Sequence, residues 1–428
     1  MSEAKKLDIY RDHQLVGTLF NQEPIKFVYS SSYKDKGLSP NLPLSEAVHS
    51  GLAVESFFEN LLPESTIRDV LKLRHQVTTT FGLLSVIGGD TASDLTILTE
   101  GETPQPSQSK PITWQDVADE FAQEQGVIQE VREEDRVRIS LAGAQRKLSI
   151  CIDANGDPQL PLGNSPSTYI LKPDIKGIEG VWASAINETF VMTLADEVSL
   201  GVAKVSYQPL AKACMIKRYD RVEGNDGIIK RLHQLDLCQL DGKPSTVKYE
   251  SDGGPTLLRC RELLNENGVI AADMKRFIQW IFFNLFVGNN DSHAKNISIY
   301  FLPNEGVRIT PFYDLISTSL YSGLSRKFAF KIGDENIPSN ITKEHITAMS
   351  ESLGFKPKYV QKIAEETSNT ILASLEETAE KINGIATPGT EKTMVKRLHH
   401  YILSNTRRIQ NRLFTNQSNI SSKSLKPY

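Results

Sequence analysis

The chain has 428 residues, of which 39% are hydrophobic and 23% are charged, and its formal net charge is −4. This composition is ordinary for a water-soluble globular chain of roughly two or three domains, and it excludes a molecule whose whole surface coats nucleic acid or anionic lipid. The four cysteines include no Cys-x-x-Cys pair, which argues against a zinc site or a disulfide scaffold and favours a reducing cytosol. Because there is no signal-peptide pattern and no apolar run long enough to cross a bilayer, we expect a cytoplasmic protein without a membrane segment.

The first hundred residues predict a small α+β unit. Residues 6–30 alternate between apolar and polar types as strands do, and helical spacing begins at Leu44. The stretch 101–112 contains three prolines and predicts an exposed linker, after which Thr113 is a suitable N-cap for a helix. We therefore predict an N-terminal domain at 1–100 and a linker at 101–112.

Strand patterns return at Arg136 and continue through the segments "RVRISLAG", "KLSICID" and "STYILKP". The next segment, "SAINETFVMTLADEVSLG", has helical spacing and predicts a helix that Gly201 ends, followed by two more strands. After about Asn225 helical patterning dominates, apart from one hairpin. This order predicts a β-rich lobe at 113–224 and a helical lobe at 225–428, with room for a nucleotide between them.

One polar cluster interrupts the helical half, where "FNLFVGNNDSHAKNISIY" runs from Phe283 to Tyr300. An ordinary polar loop is one interpretation, and a metallohydrolase is another, although Asp291 and His293 are only two candidate metal ligands. Phosphoryl transfer is the third, because it requires a hydroxyl acceptor, oxygen ligands for magnesium and cations along the phosphates. The spacing of Asp291 and Asn296 suits a base and a metal ligand on one loop, and the following hairpin returns Asp314 to the same edge.

Upstream residues fit the phosphoryl-transfer interpretation in chain order. Lys172 ends a predicted strand, where it can reach the α and β phosphates, and Glu188 on the next helix can hold it in place. The turn "LAGAQRK", at 141–147, has small residues that let backbone N–H groups approach phosphate. Each feature alone is a weak signal, but their combined order favours a kinase-like site over a purely structural one.

Six short motifs of the chain together resemble those of HipA-type serine/threonine kinases, the toxin partners of bacterial toxin–antitoxin pairs. The motifs are "ISLAGAQRK", "YILKP", "KRYDR", "TVKYESDGGPT", "GNNDSHAKN" and "TPFYD". The segments "FFENLLPES" and "FGLLSVIGGD" resemble the extra N-terminal subdomain of the same family. The resemblance implies an α+β class and a two-lobed protein-kinase-like fold with an extra N-terminal α+β subdomain. Its helical lobe is expected to be closest to those of lipid and aminoglycoside kinases, which share the Asp-x-His-x-x-Asn form.

The resemblance also implies a role for each matching residue. Asp291 is the expected catalytic base, Asn296 and Asp314 the expected ligands of Mg²⁺, Glu188 the partner of Lys172, and Ser140 a site of inhibitory autophosphorylation. The residues expected to contact ATP are Ala142, Gly143, Ala144, Gln145, Arg146 and Lys147 in the phosphate loop, Lys172, Lys217, Arg218 and Tyr219, and then His293, Ala294, Lys295, Asn296, Tyr313 and Asp314.

The sequence departs from the family pattern at two positions. Leu235 stands where an acidic residue is usual, and Arg146 stands where a glutamate is common. The region corresponding to a DNA-contacting loop of some members, "KIGDENIPSN", is not basic. From Lys392 to Tyr428, by contrast, the chain has eight lysines or arginines and no acid, which predicts a solvated helix face or a nucleic-acid contact.

The expected partners are a HipB-like helix-turn-helix antitoxin dimer, operator DNA mainly through that antitoxin, and a protein substrate, for which the family suggests an aminoacyl-tRNA synthetase. Two other functions stay open. The Asp-x-His-x-x-Asn form permits a small-molecule or lipid-type kinase, and a catalytically silent corepressor would need only the antitoxin contact. The filled catalytic positions disfavour the corepressor, and the N-terminal subdomain disfavours the small-molecule kinase.

Overall fold

The structure is a computed structural model that describes residues 4–122, 145–224, 227–302 and 305–414. Ser140, Ala142, Gly143 and Ala144 lie outside the described residues, as does the end of the basic tail at 415–428. The roles expected of these residues stay predictions.

The N-terminal unit is a five-stranded antiparallel sheet in the order β4-β3-β2-β1-β5, covered by three helices. Alternate residues of its strands, such as Leu7 and Ile9, are fully buried, because successive side chains of a strand point to opposite faces. Thr79 caps α3 by accepting a hydrogen bond of 2.9 Å from the backbone N–H of Gly82. The elements are β1 (Lys6–Arg11), β2 (Gln14–Phe20), β3 (Lys26–Tyr29), β4 (His49–Ser50), α1 (Leu52–Glu59), α2 (Ser65–Arg74), α3 (Thr80–Ile87) and β5 (Leu95–Thr99).

The second unit is a six-stranded sheet in the order β10-β11-β9-β7-β8-β6. Helix α4 packs on one face, where Val117 and Phe121 are buried against Leu148, Ile150 and Leu171. The helix α5 on the other side is buried along most of its length. The elements are β6 (Gln108–Pro111), α4 (Trp114–Ala122), β7 (Leu148–Ile152), β8 (Pro158–Leu162), β9 (Tyr169–Pro173), α5 (Ser184–Glu197), β10 (Val205–Gln208) and β11 (Ala213–Lys217).

Two details of this unit differ from the sequence-based expectations, and one agrees with them. Residues 108–111 of the expected linker are exposed, but their main chain pairs with β8 and forms the edge strand β6. Helix α5 ends at Glu197 rather than at Gly201, because Ser199 already takes a left-handed conformation with φ of 56° and the backbone N–H of Leu200 donates to Ala195. The expected N-cap at Thr113 is confirmed by a hydrogen bond of 3.1 Å from the backbone N–H of Asp116.

The third unit is mostly helical. Helices α10 and α11 pack on α5 and on α8, whose aromatic side chains fill the core. The elements are β12 (Arg221–Glu223), β13 (Ile229–Arg231), β14 (Gln234–Asp236), α6 (Leu237–Leu240), α7 (Leu257–Glu266), α8 (Ala271–Val287), β15 (Ser298–Leu302), β16 (Gly306–Ile309), α9 (Lys343–Ser352), α10 (Pro357–Ile385) and α11 (Thr390–Leu413), with single 3₁₀ turns at Ser245–Val247, Glu250–Asp252, Ala294–Asn296 and Thr318–Leu320. Across the described ranges, none of the helices combines the length and apolarity needed to span a membrane.

Candidate active site

The polar cluster begins where α8 ends. Gly288 ends the helix with φ of 72°, and a Cβ there would lie 2.5 Å from the Tyr401 hydroxyl, so only glycine fits without displacement. Amide side chains then shape the loop: Asn289 donates to Asn284 over 2.7 Å, and its own oxygen accepts from the backbone N–H of Asp291 over 3.2 Å. The asparagines of this motif therefore fix the turn that presents Asp291.

The carboxylate of Asp291 faces an open cleft and accepts a hydrogen bond of 2.5 Å from the Tyr249 hydroxyl. The surrounding protein desolvates Asp291 and raises its pKa above the ordinary value, although the Tyr249 hydrogen bond acts in the opposite direction. Tyr249 lies in the segment "TVKYESDGGPT", where no sequence pattern assigns it a role.

An ion-pair cluster lies on the other side of the cleft. The Lys172 ammonium is 2.7 Å from a Glu188 oxygen and 2.6 Å from an Asp314 oxygen. Burial alone would lower the pKa of Lys172, but the two carboxylates outweigh it and raise the pKa. The same ammonium holds the pKa of Asp314 well below its ordinary value, against the opposing effect of burial. The Lys172 ammonium and the Asp314 carboxylate therefore stay charged at neutral pH, whereas burial raises the pKa of Glu188 above its ordinary value. Lys172, Glu188 and Asp314 are called the Lys172 cluster below.

Lys147, the last residue of the predicted phosphate loop, brings a second cation to the cleft. Desolvation and then the charge of Lys172 lower its pKa to about 8. Two neighbouring ammonium groups create a positive potential that suits a polyphosphate.

The predicted magnesium ligands are adjacent. The Asn296 amide nitrogen lies 3.5 Å from an Asp314 oxygen. The two side chains, each of which carries an oxygen, are therefore in contact. Asp314 also has a left-handed backbone with φ of 60°, an uncommon conformation that occurs preferentially at functional sites. Within the described residues, no group of three or more His, Cys, Asp or Glu side chains converges. A carboxylate and an amide fit Mg²⁺, because this ion is usually held by one or two protein carboxylates together with substrate phosphates.

His293 belongs to the same loop as Asp291 and is buried. Its ring packs edge to face against the Tyr249 ring, with centroids 5.1 Å apart. Desolvation, followed by the charge of Lys248, lowers the pKa of His293 to about 3, so the imidazole is neutral at physiological pH. Neutral His293 supports the loop by packing and does not add a cation to the site.

All three units line the cleft, which has a volume of about 350 Å³. The N-terminal unit contributes Glu64, which pairs with Lys248 over 2.7 Å. The predicted site residues that line the cleft are Gln145, Lys147, Lys172, Glu188, Lys217, Arg218, Tyr219, Asp291, His293, Lys295, Asn296, Tyr313 and Asp314. Residues that the sequence did not assign also line it: Asn60, Leu61, Glu64, Ala92, Ile170, Ala203 and Ile216. Their small or apolar members provide the kind of surface on which a nucleotide base packs.

Tyr219 and Tyr313, both expected to contact ATP, line the cleft together. The rings of Tyr219 and Tyr313 stack with centroids 6.0 Å apart. Each hydroxyl also has a partner, Gln234 for Tyr219 and the backbone carbonyl of Lys295 for Tyr313. The two stacked rings form one side of the cleft, and both tyrosines were expected to lie beside the nucleotide.

Several residues expected to contact ATP have side chains that are engaged elsewhere. Arg146 donates to the Glu120 carbonyl over 2.6 Å and lies over the Phe121 ring at 5.5 Å, so its guanidinium binds α4. Lys295 is buried between Asn60 and Asp236, at 2.6 and 2.7 Å, and Ala294 is fully buried. These contacts anchor the Lys295 ammonium to structure.

Arg218 lines the cleft, but its guanidinium points into a buried network of charges. It pairs with Asp220 over 2.7 Å and with Asp90 of the N-terminal unit over 3.3 Å. Arg221 and Arg231 reach the other oxygen of Asp90, over 2.7 and 3.4 Å. Asp90, Arg218, Asp220, Arg221 and Arg231, called the Asp90 cluster below, fasten the N-terminal unit to the lobe behind the nucleotide cleft.

Leu235 and the basic C-terminal residues also have a structural context. Leu235 is buried in β14 opposite Ile299, so an apolar residue there adds to the core. Six of the eight basic residues from Lys392 onward lie on α11. Among them, Arg397 lies over the Trp182 ring at 5.4 Å, and Arg412 donates to the Ser339 carbonyl over 2.7 Å. Those two arginines have partners within the chain.

The chain is similar to known proteins along most of its length. A model of the HipA N-terminal domain matches residues 7–98, and a model of the HipA-like C-terminal domain matches residues 139–375. A putative kinase of Sinorhizobium fredii, Y4mE, is 32% identical over 402 residues, which is 88% of this chain and 93% of that protein. The serine/threonine-protein kinase toxin HipA of Shewanella oneidensis is 29% identical over 83% of this chain and 85% of its own length.

A solved structure confirms the fold. The Shewanella oneidensis HipA chain, in a complex with HipB and operator DNA, superposes with a TM-score of 0.80 at 24% identity, over 94% of this chain and 97% of that one. The expected two-lobed, kinase-like α+β fold is therefore correct.

Proposed function

The chain belongs to the HipA family of toxin kinases, and on that premise we propose that it is an ATP-dependent serine/threonine protein kinase that arrests growth as the toxin of a toxin–antitoxin pair. The observation that carries the proposal is the arrangement of the cleft. Lys172, held by Glu188 and Asp314, lines the same cleft as Asp291, whose carboxylate faces solvent and binds a hydroxyl group.

In the proposed reaction, the oxygen of a serine or threonine side chain attacks the γ-phosphorus of ATP. The bond from that phosphorus to the β–γ bridging oxygen breaks, ADP leaves, and the proton of the hydroxyl passes to Asp291. Lys172 and Lys147 neutralise phosphate charge, which is the main catalytic need of this chemistry. The raised pKa of Asp291 brings the base closer to the hydroxyl proton that it must accept.

Asn296 and Asp314 would hold Mg²⁺ in this proposal, and the ion would neutralise charge on the phosphates when bound. The chain contributes the positioning. The Lys172 ammonium keeps Asp314 ionised, and the amide of Asn296 lies against the same carboxylate. Binding of metal-nucleotide would share Asp314 between Lys172 and the ion.

Two features support a protein substrate over a small molecule. The N-terminal unit forms part of the cleft wall through Asn60, Leu61 and Glu64. Small-molecule kinases of this shape lack such a unit. The relative of Shewanella oneidensis is named as a serine/threonine-protein kinase toxin. An aminoacyl-tRNA synthetase remains the target that the family resemblance suggests.

The decisive experiment is a phosphoproteomic comparison of cells that express the wild-type chain or Asp291→Asn. We expect one or a few serine or threonine sites to be phosphorylated only with the wild-type chain, together with growth arrest. A phosphorylated metabolite or lipid, with no new protein site, would support the small-molecule kinase instead. Growth arrest that is equal in both strains would remove the catalytic proposal.

We also propose a HipB-like helix-turn-helix dimer as the partner that supplies DNA binding. The Shewanella oneidensis structure is a complex of HipA with HipB and operator DNA, and the present chain is slightly acidic overall. A gel-shift assay with the purified chain alone, and then with the antitoxin, tests this. Tight sequence-specific binding by the chain alone would contradict it.

Autophosphorylation of Ser140 is the proposed means of self-inhibition. A phosphoserine adds nearly two negative charges, which would repel ATP phosphates from the adjoining phosphate loop. Incubation with magnesium ATP, mass-spectrometric mapping and ATP titration before and after modification test the idea. Undiminished ATP affinity of the modified chain would overturn it.

A further inference from the structure

A second cavity meets the nucleotide cleft at the predicted base. It has a volume of about 440 Å³, and Asp291, Thr318 and Leu324 line both spaces. Tyr249 and Asn290 line only the second one. Asp291 therefore borders both the cleft that contains the Lys172 cluster and a second space. A transferase needs this topology, because its donor and acceptor must approach the base from different directions.

The contact at the border between the two spaces is unusual for a resting base. The Tyr249 hydroxyl donates to Asp291 over 2.5 Å, and this hydrogen bond is open to solvent. In phosphoryl transfer to an alcohol, the acceptor hydroxyl must make the same bond, since the base takes its proton. The hydroxyl of Tyr249 thus occupies the position on Asp291 that an acceptor hydroxyl requires.

The Tyr249 ring contacts other side chains and also borders open space. The ring contacts His293 edge to face at 5.1 Å, and the Lys248 ammonium lies 5.5 Å from its centroid. Lys248 is itself paired with Glu64 of the N-terminal unit over 2.7 Å. The tyrosine also borders the second cavity, so open space lies next to its side chain.

On the basis of the proposed kinase function, we propose that the second cavity is the acceptor site for a serine or threonine side chain of the substrate protein, and that the Tyr249 hydroxyl covers Asp291 until the acceptor hydroxyl displaces it. Tyr249 is a positioning residue in this scheme. It keeps water from taking the acceptor's place while ATP is bound.

The consequence is suppression of futile hydrolysis. Without the cover, a water oxygen can attack the γ-phosphorus, the bond to the β–γ bridging oxygen breaks, and ADP and phosphate form while the water proton passes to Asp291. A substrate protein can displace Tyr249 because its binding energy offsets the lost hydrogen bond, whereas a single water molecule brings no such additional contacts.

The test is the initial rate of phosphate release from magnesium ATP with water as the only added acceptor, since autophosphorylation releases no free phosphate. Tyr249→Phe keeps the ring against His293 and removes the hydroxyl. We expect it to hydrolyse ATP at least about tenfold faster than the wild type, because hydrogen bonds to a charged group lie at or above the energy that corresponds to a tenfold rate. Tyr249→Leu, which also lacks the hydroxyl, gives a second reading that does not depend on one variant folding.

Tyr359→Phe is the matched control, because this exposed tyrosine lies on α10 and lines neither cavity. The control should hydrolyse ATP at the wild-type rate, and Tyr249→Phe combined with Asp291→Asn should return to a low rate. A rise that depends on Asp291 cannot result from damage to the fold. Unchanged or slower hydrolysis in both Tyr249 variants, with an active wild type, would overturn the acceptor-site inference alone. A wild type that neither hydrolyses ATP nor phosphorylates protein would overturn the proposed function and this inference with it.

Discussion

The Asp90 cluster and the Lys172 cluster both bring opposite charges together, but they differ in how their acids are paired. Both oxygens of Asp90 are used by groups of the protein: one accepts from Arg221, and the other accepts from the backbone N–H and hydroxyl of Ser167 over 3.0 and 2.7 Å. Asp90 is fully buried, so a ligand has no access to it. In the Lys172 cluster the Asp314 side chain is 41% exposed and borders the cleft.

The difference shows which buried charges serve structure and which can serve chemistry. A cluster whose hydrogen-bonding capacity is filled by the protein fixes two elements relative to one another. A cluster that leaves one carboxylate open to a cavity, in a strained backbone conformation, can exchange partners when a substrate arrives. We therefore expect substitutions in the Asp90 cluster to change mainly stability and those in the Lys172 cluster and the Asp291 loop to change mainly rate.

The largest effect should come from the two acids of the cleft. Asp291→Asn keeps the size of the side chain but removes the proton acceptor, so transfer to protein should slow by about 10²–10⁴-fold, the usual contribution of a general base. Asp314→Asn should cause a loss of at least similar size by removing a carboxylate ligand of Mg²⁺. Asparagine tolerates the left-handed backbone at this position, so the fold should be preserved.

The double variant sharpens this prediction. Since both acids serve one site, its loss of rate should be well below the product of the two single losses. Turnover is measured with radiolabelled ATP, and urea unfolding serves as the control for folding. Near-wild-type turnover in either single variant would contradict the catalytic role of that acid. A large loss of stability would show instead that the acid serves mainly to hold the fold together.

The next largest effect should be on stability, in the Asp90 cluster. Asp90→Ala leaves the buried arginines without their shared acid, and breaking such a buried pair typically costs about 3–5 kcal/mol. Lys204→Ala is the matched control, because Lys204 pairs with Asp196 at a similar distance, 2.8 Å, but with both side chains well exposed. Its loss should be about 0–1 kcal/mol.

Urea unfolding followed by circular dichroism measures both variants of this pair, with the first transition taken as the readout because a chain of several units need not unfold in one step. Equal small shifts for Asp90→Ala and Lys204→Ala would show that the buried network contributes no more than a surface pair. That result would break the contrast between the two clusters.

A third effect, of intermediate size, concerns pH and the loop beneath Asp291. The pKa of His293 in the folded chain is about 3, below its ordinary value of 6.5, so the unfolded chain binds this proton first as the pH falls. Stability from this residue is therefore complete above pH 6.5 and is lost progressively toward pH 3. At pH 5 the loss should be about 2 kcal/mol relative to pH 7.

The measurement for His293 is the difference in unfolding free energy between pH 7 and pH 5, in the wild type and in His293→Gln. The charged or titratable groups that act on the imidazole, which both proteins retain, are Lys248, Glu64, Asp314 and Lys295. We expect the variant to lose about 2 kcal/mol less than the wild type over this range. Parallel pH dependence in the two proteins would contradict the neutral, buried state of His293.

The contrast between the clusters also explains which parts were predictable from sequence. Asp291, Asn296 and Asp314 lie on one loop and one hairpin, so local spacing was enough to bring them together, and chain order added Lys172 and Glu188. Their catalytic roles stay predictions. The fold was predictable from strand and helix periodicity together with the family motifs, whereas helix ends and edge strands depended on details such as the conformation of Ser199.

Other parts depended on contacts that no local pattern encodes. Glu64 reaches the cleft, and Tyr249 reaches Asp291, from segments distant in sequence, and a single chain gives no signal that such residues meet. Arg218 follows a strand whose main chain borders the nucleotide cleft, but its side chain turns to Asp90, and the sequence did not predict this direction. Arg146 was placed at the phosphates by its neighbours in sequence, while Glu120 and Phe121 attract it to α4.

The smallest expected effects test that last distinction with two adjacent cations. Arg146→Gln removes an ion pair of 2.9 Å and the contact with the Phe121 ring, both on the α4 side. A partly exposed pair of this kind contributes about 0–1 kcal/mol, so stability should fall slightly and the KM for ATP should change less than about twofold.

Lys147→Met keeps a side chain of similar length but removes an ammonium that lines the cleft beside Lys172. Because charge-assisted contacts to phosphate are roughly twice as strong as neutral ones, the KM for ATP should rise by about tenfold or more. If the two variants change the KM for ATP equally, then Arg146 also acts on the phosphates, and the separation between structural and substrate-facing cations does not hold at the phosphate loop.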